Sequence, residues 1–166
     1  MSKTELYTQT GVAMTCRSYE EYQEMFMLEQ DFLGKGTILD IASGASSFTA
    51  ELNQRGFKAM AVDPLYKLSI EEIGSLGRKE IKIASQKLSQ NENLFVWNYY
   101  NSLEHHDDIR NCSLNQFINS YKRDEKKKYT FQQDCLLYLL MMIHFHLFFV
   151  ITLYSYIKSN LILNSI

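Results

Sequence analysis

The hydrophobic pattern changes period along this chain, and each change marks an element. Behind Ser18, with Glu21 completing a capping box, Tyr22, Met25, Phe26 and Leu33 recur at helical spacing and predict an amphipathic helix. The apolar run Thr37-Ile38-Leu39-Asp40-Ile41 predicts a buried strand, and Ala42-Ser43-Gly44-Ala45-Ser46-Ser47 a tight turn of small residues. Phe48 to Arg55 then reads as a helix closed by Gly56, and Lys58 to Val62 as a second strand ending on Asp63-Pro64-Leu65-Tyr66. Strand, turn, helix, strand and terminal carboxylate make the first half of a nucleotide-type binding unit.

Residues 67 to 128 read mostly as helix. Ser69 and Glu72 form another capping signature, and Ile70, Ile73, Ile81, Ile83, Ala84 and Leu88 supply an apolar stripe interrupted at Gly74 and Gly77. An aromatic cluster, Phe95, Trp97, Tyr99 and Tyr100, is expected to pack in the core, with the lining of a substrate pocket as the alternative. Leu103, Ile109, Leu114, Phe117, Ile118 and Tyr121 continue the apolar pattern. His105-His106-Asp107-Asp108 is expected on a solvated helix face, since adjacent side chains point about 100° apart and metal ligands pair at wider spacing. Lys122 to Lys128 reads as a solvated helix end or loop leading into a short strand at Tyr129 to Gln132.

From Cys135 to Ile157 no charged residue occurs, and the run is rich in Leu and aromatics. Its length suffices for a membrane helix, with Lys126 to Lys128 holding the preceding end on the cytoplasmic side. No Asp or Glu follows Asp134, and Lys158 is the sole Lys or Arg there, so two compositions are joined in one chain. The length of 166 residues is one domain's worth, and a net charge of −2 indicates no nucleic-acid partner. Cys16, Cys112 and Cys135 lack paired spacing and are expected as free thiols in a reducing, cytoplasmic setting.

The turn selects the ligand class. A pyrophosphate site uses several glycines and a helix N-terminus, whereas here Asp40 leads the turn and would repel an anion. A leading acid suits a cationic or zwitterionic ligand. With Gly44 and Asp63 about twenty residues apart, the stretch resembles the first motifs of class I S-adenosylmethionine-dependent methyltransferases. It departs from the family's commonest form at Ala42 and Ser46, where glycines are usual. The resemblance implies an α/β fold: a partial Rossmann-like class I methyltransferase fold, an incomplete parallel sheet flanked by helices, followed by an apolar C-terminal helix or tail. It implies S-adenosylmethionine as cofactor, with an unknown methyl acceptor. Asp40 is expected near the methionine moiety or its ammonium, Ala42, Ser43, Gly44 and Ser46 in the close turn, Asp63 followed by Pro64 at the ribose hydroxyls, and Asp134 at the adenine amino group. The helix behind Ser18 is expected to cover the cofactor mouth. No catalytic base is identified, and no metal is expected.

A complete class I domain needs further strands where the apolar run stands. Read from the third base of each codon, Asp134-Cys135 forces Leu, and Met141-Met142-Ile143 forces Asp-Asp. The neighbouring codons permit the remaining residues of the family's next motifs. Residues 1–134 are therefore expected to be the N-terminal part of a methyltransferase domain and residues 135–166 an out-of-frame tail. The rival expectation is a small membrane-anchored α/β protein without catalysis.

Overall fold

Thr37–Ile41 (β1) and Lys58–Val62 (β2) pair in parallel, with Ile38 opposite Ala59, Leu39 opposite Met60, Asp40 opposite Ala61 and Ile41 opposite Val62. Alternation along a strand sends these pairs to two faces. Ile38 and Ala59 pack with Tyr19, Tyr22, Phe48 and Leu52, while Leu39, Ile41, Met60 and Val62 cluster on the other side. The protein is known from a computed structural model that describes residues 14–124.

Tyr19–Phe26 (α1) starts at the capping box expected from its sequence: Glu21 N donates to Ser18 Oγ at 3.2 Å, and Ser18 N donates to Glu21 Oε2 at 2.9 Å. It stops at Met27, whose φ of 48° is left-handed. Leu33 therefore belongs to a separate short helix, Gln30–Leu33 (α2), not to a continuation of α1. Phe48–Gln54 (α3) is the crossover helix, and the ring of Phe48 stacks on Tyr22 at 4.2 Å between centroids. Gly56 closes the connection to β2 at φ +90°, a conformation that favours a residue without Cβ.

After β2, Pro64–Lys67 forms a 3₁₀ turn capped by Asp63, and Ile70–Ser89 (α4) follows behind the Ser69–Glu72 capping box. α4 runs through Gly74 and Gly77, the two positions that interrupt its apolar stripe. The glycines admit Leu103–Lys122 (α5). A Cβ on Gly77 would lie 2.8 Å from Leu114 Cδ1, and one on Gly74 would lie 3.0 Å from Ile118 Cδ1. Ile73, Ile81, Leu114 and Phe117 join Ala45, Ala61 and Tyr66 in a core against the sheet's carboxyl end.

Two sequence expectations are corrected here. Phe95 and Tyr99 are exposed and Trp97 and Tyr100 half-buried on the connection between α4 and α5, so the aromatic cluster is not core. His106 is buried rather than on a solvated face, because a buried arginine on the next turn of α5 needs an acceptor. Among the described residues the sheet has two strands, and no helix is long and apolar enough to cross a membrane. The strand expected at Tyr129 to Gln132, Asp134, and the apolar run from Cys135 to Ile157 lie outside the described residues.

Candidate functional site

Asp40 is fully buried near the carboxyl end of β1, where an unpaired charge would cost several kcal/mol. Its carboxylate accepts from Ser43 Oγ at 2.7 Å and from Tyr22 Oη at 3.2 Å, so the acid braces the turn from below and α1 from the side. The turn itself is strained. Ala42 and Gly44 have φ of +58° and +59°, a region that costs a non-glycine residue about 1–3 kcal/mol. The strain at Ala42 is held by tertiary bonds, beginning with Ala42 N donating to the Val62 carbonyl at 2.8 Å.

Asp63, at the end of β2, closes the same turn from the opposite strand. Gly44 N donates to its Oδ2 and Leu65 N to its Oδ1, each at 2.8 Å. Burial pushes the Asp63 carboxyl above its ordinary range, and the two amides oppose that shift. Tyr66 Oη donates to the Gly44 carbonyl at 2.9 Å, so residues 63 to 66 hold both polar groups of Gly44. Pro64 occupies the first position of the 3₁₀ turn, where its missing N–H is not needed.

Over this turn lies the segment that precedes α1. A Cβ on Gly44 would stand 3.2 Å from Met14 Cγ and 3.5 Å from the Thr15 carbonyl. The Arg17 carbonyl accepts from Ser46 Oγ at 2.8 Å, from Ser47 N at 3.1 Å and from Ser113 Oγ at 2.8 Å. Ser46 thus ties the strap to the start of α3, where its Oγ also accepts from Phe48 N at 3.1 Å.

A second polar cluster, which sequence reasoning missed, joins α1 to α5. Arg110 Nη1 lies 2.7 Å from Glu21 Oε1, and its Nη2 donates to Tyr100 Oη at 3.1 Å. Tyr100 Oη in turn donates to Glu21 Oε1 at 2.7 Å, and Arg110 Nε donates to His106 Nε2 at 3.3 Å. His106 Nδ1 faces Asp107 at 2.9 Å, which sets the tautomer with Nε2 as acceptor. Burial lowers the His106 pKa and raises that of Tyr100 to about 12. Cys16, beneath Arg110, is likewise pushed up to about 12 by burial and is no nucleophile. Glu21 was legible as a capping residue, but nothing local announced its partner 89 residues away.

Seven of the eight residues expected at a cofactor site, Asp40, Ala42, Ser43, Gly44, Ser46, Asp63 and Pro64, meet at one end of the sheet. Two cavities lined by described residues lie elsewhere. One of about 320 Å³ adjoins Asn53, Asn119 and Arg123, and one of about 280 Å³ adjoins Glu20, Glu51, Tyr99 and Cys112. Among the described residues no group of His, Cys, Asp and Glu is placed to hold a metal ion.

The chain is similar to an uncharacterized protein of Methanocaldococcus jannaschii, 35% identical over 112 residues, which cover 67% of this chain and 50% of the relative. It thus spans about half the length of the curated relative it matches. No family model and no solved structure matches it.

Proposed function

We propose that this chain carries the cofactor-binding half of a class I S-adenosylmethionine-dependent methyltransferase. The observation that carries the reading is the joint placement of Asp40, the left-handed Ala42–Gly44 turn and Asp63 at the carboxyl ends of two parallel strands, the position at which open α/β sheets bind ligands. The donor set suits the cofactor. Each Asp63 oxygen accepts one amide and keeps a further lone pair for a ribose hydroxyl, while buried Asp40 supplies negative potential toward an ammonium. When bound, the cofactor supplies an electrophilic methyl group on a sulfonium. The chain's own residues orient it, through Asp40, the turn at Ala42, Ser43, Gly44 and Ser46, and Asp63; Asp134 is assigned to the adenine amino group. The methyl acceptor is left open.

Calorimetric titration of the chain with S-adenosylmethionine tests this reading; saturable binding is expected. A second reading is a non-catalytic α/β domain in which both carboxylates only brace the turn. It is favoured by the internal partners that Asp40 and Asp63 already have, and it predicts no binding in the same titration. Residues 135–166 are proposed to be an out-of-frame tail. If restoring one base near the Asp134 codon opens no longer frame, the tail is native sequence, and membrane fractionation then tests it as an anchor.

A further inference from the structure

The connection between α4 and α5 is tied to α1 by polar groups, and its Leu94, Phe95, Val96 and Tyr99 side chains are exposed. Trp97 turns back on the connection itself, donating from Nε1 to the Glu92 carbonyl at 3.0 Å. The tie is Tyr100, whose hydroxyl donates to Glu21 at 2.7 Å and accepts from Arg110 Nη2 at 3.1 Å. Tyr99, beside it, walls the cavity of about 280 Å³ that Glu51 and Cys112 also line.

His106 lies against this tie. It is buried, with the Tyr100 ring edge-on at 4.9 Å between centroids. Its Nδ1 faces Asp107, so its Nε2 presents a lone pair to Arg110 Nε, and the neutral ring helps to hold the guanidinium that seats Tyr100. A proton on Nε2 removes that acceptor. It sets one N–H against another and a second cation beside a buried one. Arg110 then gives up its bond to the neutral Tyr100 hydroxyl before its charge-assisted pair with Glu21. The groups that face this cluster are Asp107 and Arg110 of α5, Tyr100 of the connection, Glu21 of α1, and Cys16 and Arg17 of the segment before α1, with the charge of Glu80 on α4 felt at Cys16. We propose that His106 is a proton-operated latch for the connection between α4 and α5: protonated, it drives Arg110 off Tyr100, releases the connection from α1 and opens the cavity behind Tyr99. Burial is the largest influence on the ring and disfavours its charged form; Arg110 acts in the same sense, while Asp107 and Glu21 oppose. The latch is therefore closed at neutral pH and opens below the ordinary histidine value of 6.5.

Trp97, the chain's single tryptophan, reports on the connection. Acrylamide quenching of its fluorescence is expected to rise about twofold as pH falls below 6.5, with far-ultraviolet circular dichroism unchanged. His106→Gln keeps an acceptor for Arg110 without titrating, so it is expected to abolish the transition and stay closed. Tyr100→Phe removes the hydroxyl and is expected to show the open quenching level at every pH. His105→Gln is expected to keep the transition, which separates the two neighbouring rings. In the unaltered chain, the His106 imidazole followed by nuclear magnetic resonance is expected to titrate with the same midpoint as the quenching, and this arm holds even where His106→Gln does not fold. The latch is overturned by any of these results: quenching flat with pH, dichroism lost in the same step, a transition that survives His106→Gln or vanishes in His105→Gln, a closed Tyr100→Phe protein, or a His106 midpoint apart from that of the quenching.

Discussion

Asp63 joins the two strands through one carboxylate, and the proposed ribose contacts would add to bonds it already makes. Asp63→Ala is expected to lower affinity for S-adenosylmethionine at least tenfold, because charge-assisted hydrogen bonds are worth about 1.5–3 kcal/mol each. The same change frees Gly44 N and Leu65 N, so circular dichroism and urea unfolding must show a folded protein before the affinity is read. The titration of Asp63 gives an independent check. Its folded pKa is raised by burial, so its contribution to stability is fully present below the unfolded value of about 3.9 and is lost as pH rises through the folded value. Relative to Asp63→Asn, the unaltered protein is expected to lose stability as pH rises from below the unfolded value through the raised folded one. A stability difference flat with pH in urea melts would show that burial does not govern this carboxyl.

At the scale of elements, α5 is held to the rest of the fold by a polar tie and an apolar seam. Arg110 neutralises Glu21, which is buried at 2% exposure, so Arg110→Met leaves an uncompensated carboxylate. Removing one partner of a buried pair costs about 3–5 kcal/mol. Thermal or urea unfolding is expected to show a loss of that size, and Glu21→Gln combined with Arg110→Met is expected to lose less than Arg110→Met alone. The seam depends on Gly77, where alanine would gain about 1 kcal/mol of helix propensity but meet Leu114 at 2.8 Å. Overpacking of this kind costs about 1–3 kcal/mol, so Gly77→Ala is expected to destabilise, and Leu114→Val in the same chain to recover part of the loss. Equal or higher stability of Gly77→Ala in urea would show that α5 shifts freely.

For the whole molecule, the proposed out-of-frame tail has a direct consequence. Among the described residues, two parallel strands and their flanking helices carry the proposed cofactor site, and an out-of-frame tail would replace the strands that complete such a domain. The 166-residue chain is therefore expected to transfer methyl groups at a rate near background, and the frame-restored chain well above it. Equal turnover by the two, measured with a common acceptor panel, would make residues 135–166 a working part of the protein.

The order α1, β1, α3, β2, α4 was legible because each element announces itself locally. Ser18–Glu21 and Ser69–Glu72 are capping boxes, and five-residue apolar strands flank a small-residue turn and a helix ended by glycine. The residues of the candidate site were legible for the same reason, since Asp40 to Ser46 and Asp63 to Pro64 sit at element ends that fix their place. What each acid touches was not. The Asp63 bond to Gly44 N, the Tyr22 bond to Asp40, the strap over the turn and the Arg110–Glu21 pair join residues 18 to 89 positions apart. Gly74 and Gly77 read locally only as gaps in an apolar stripe, while their benefit, room for Leu114 and Ile118, exists only once α5 has docked. His106 carried no sign of burial for the same reason: its acceptor nitrogen is needed only by an arginine that another element has already drawn into the core. Sequence alone determined which elements form and which carboxylates end the strands, because periodicity and capping act within a turn or two of the chain. Tertiary structure decided which charges are paired, as Arg110 is with Glu21, because burial and charge pairing depend on groups brought together only by the fold.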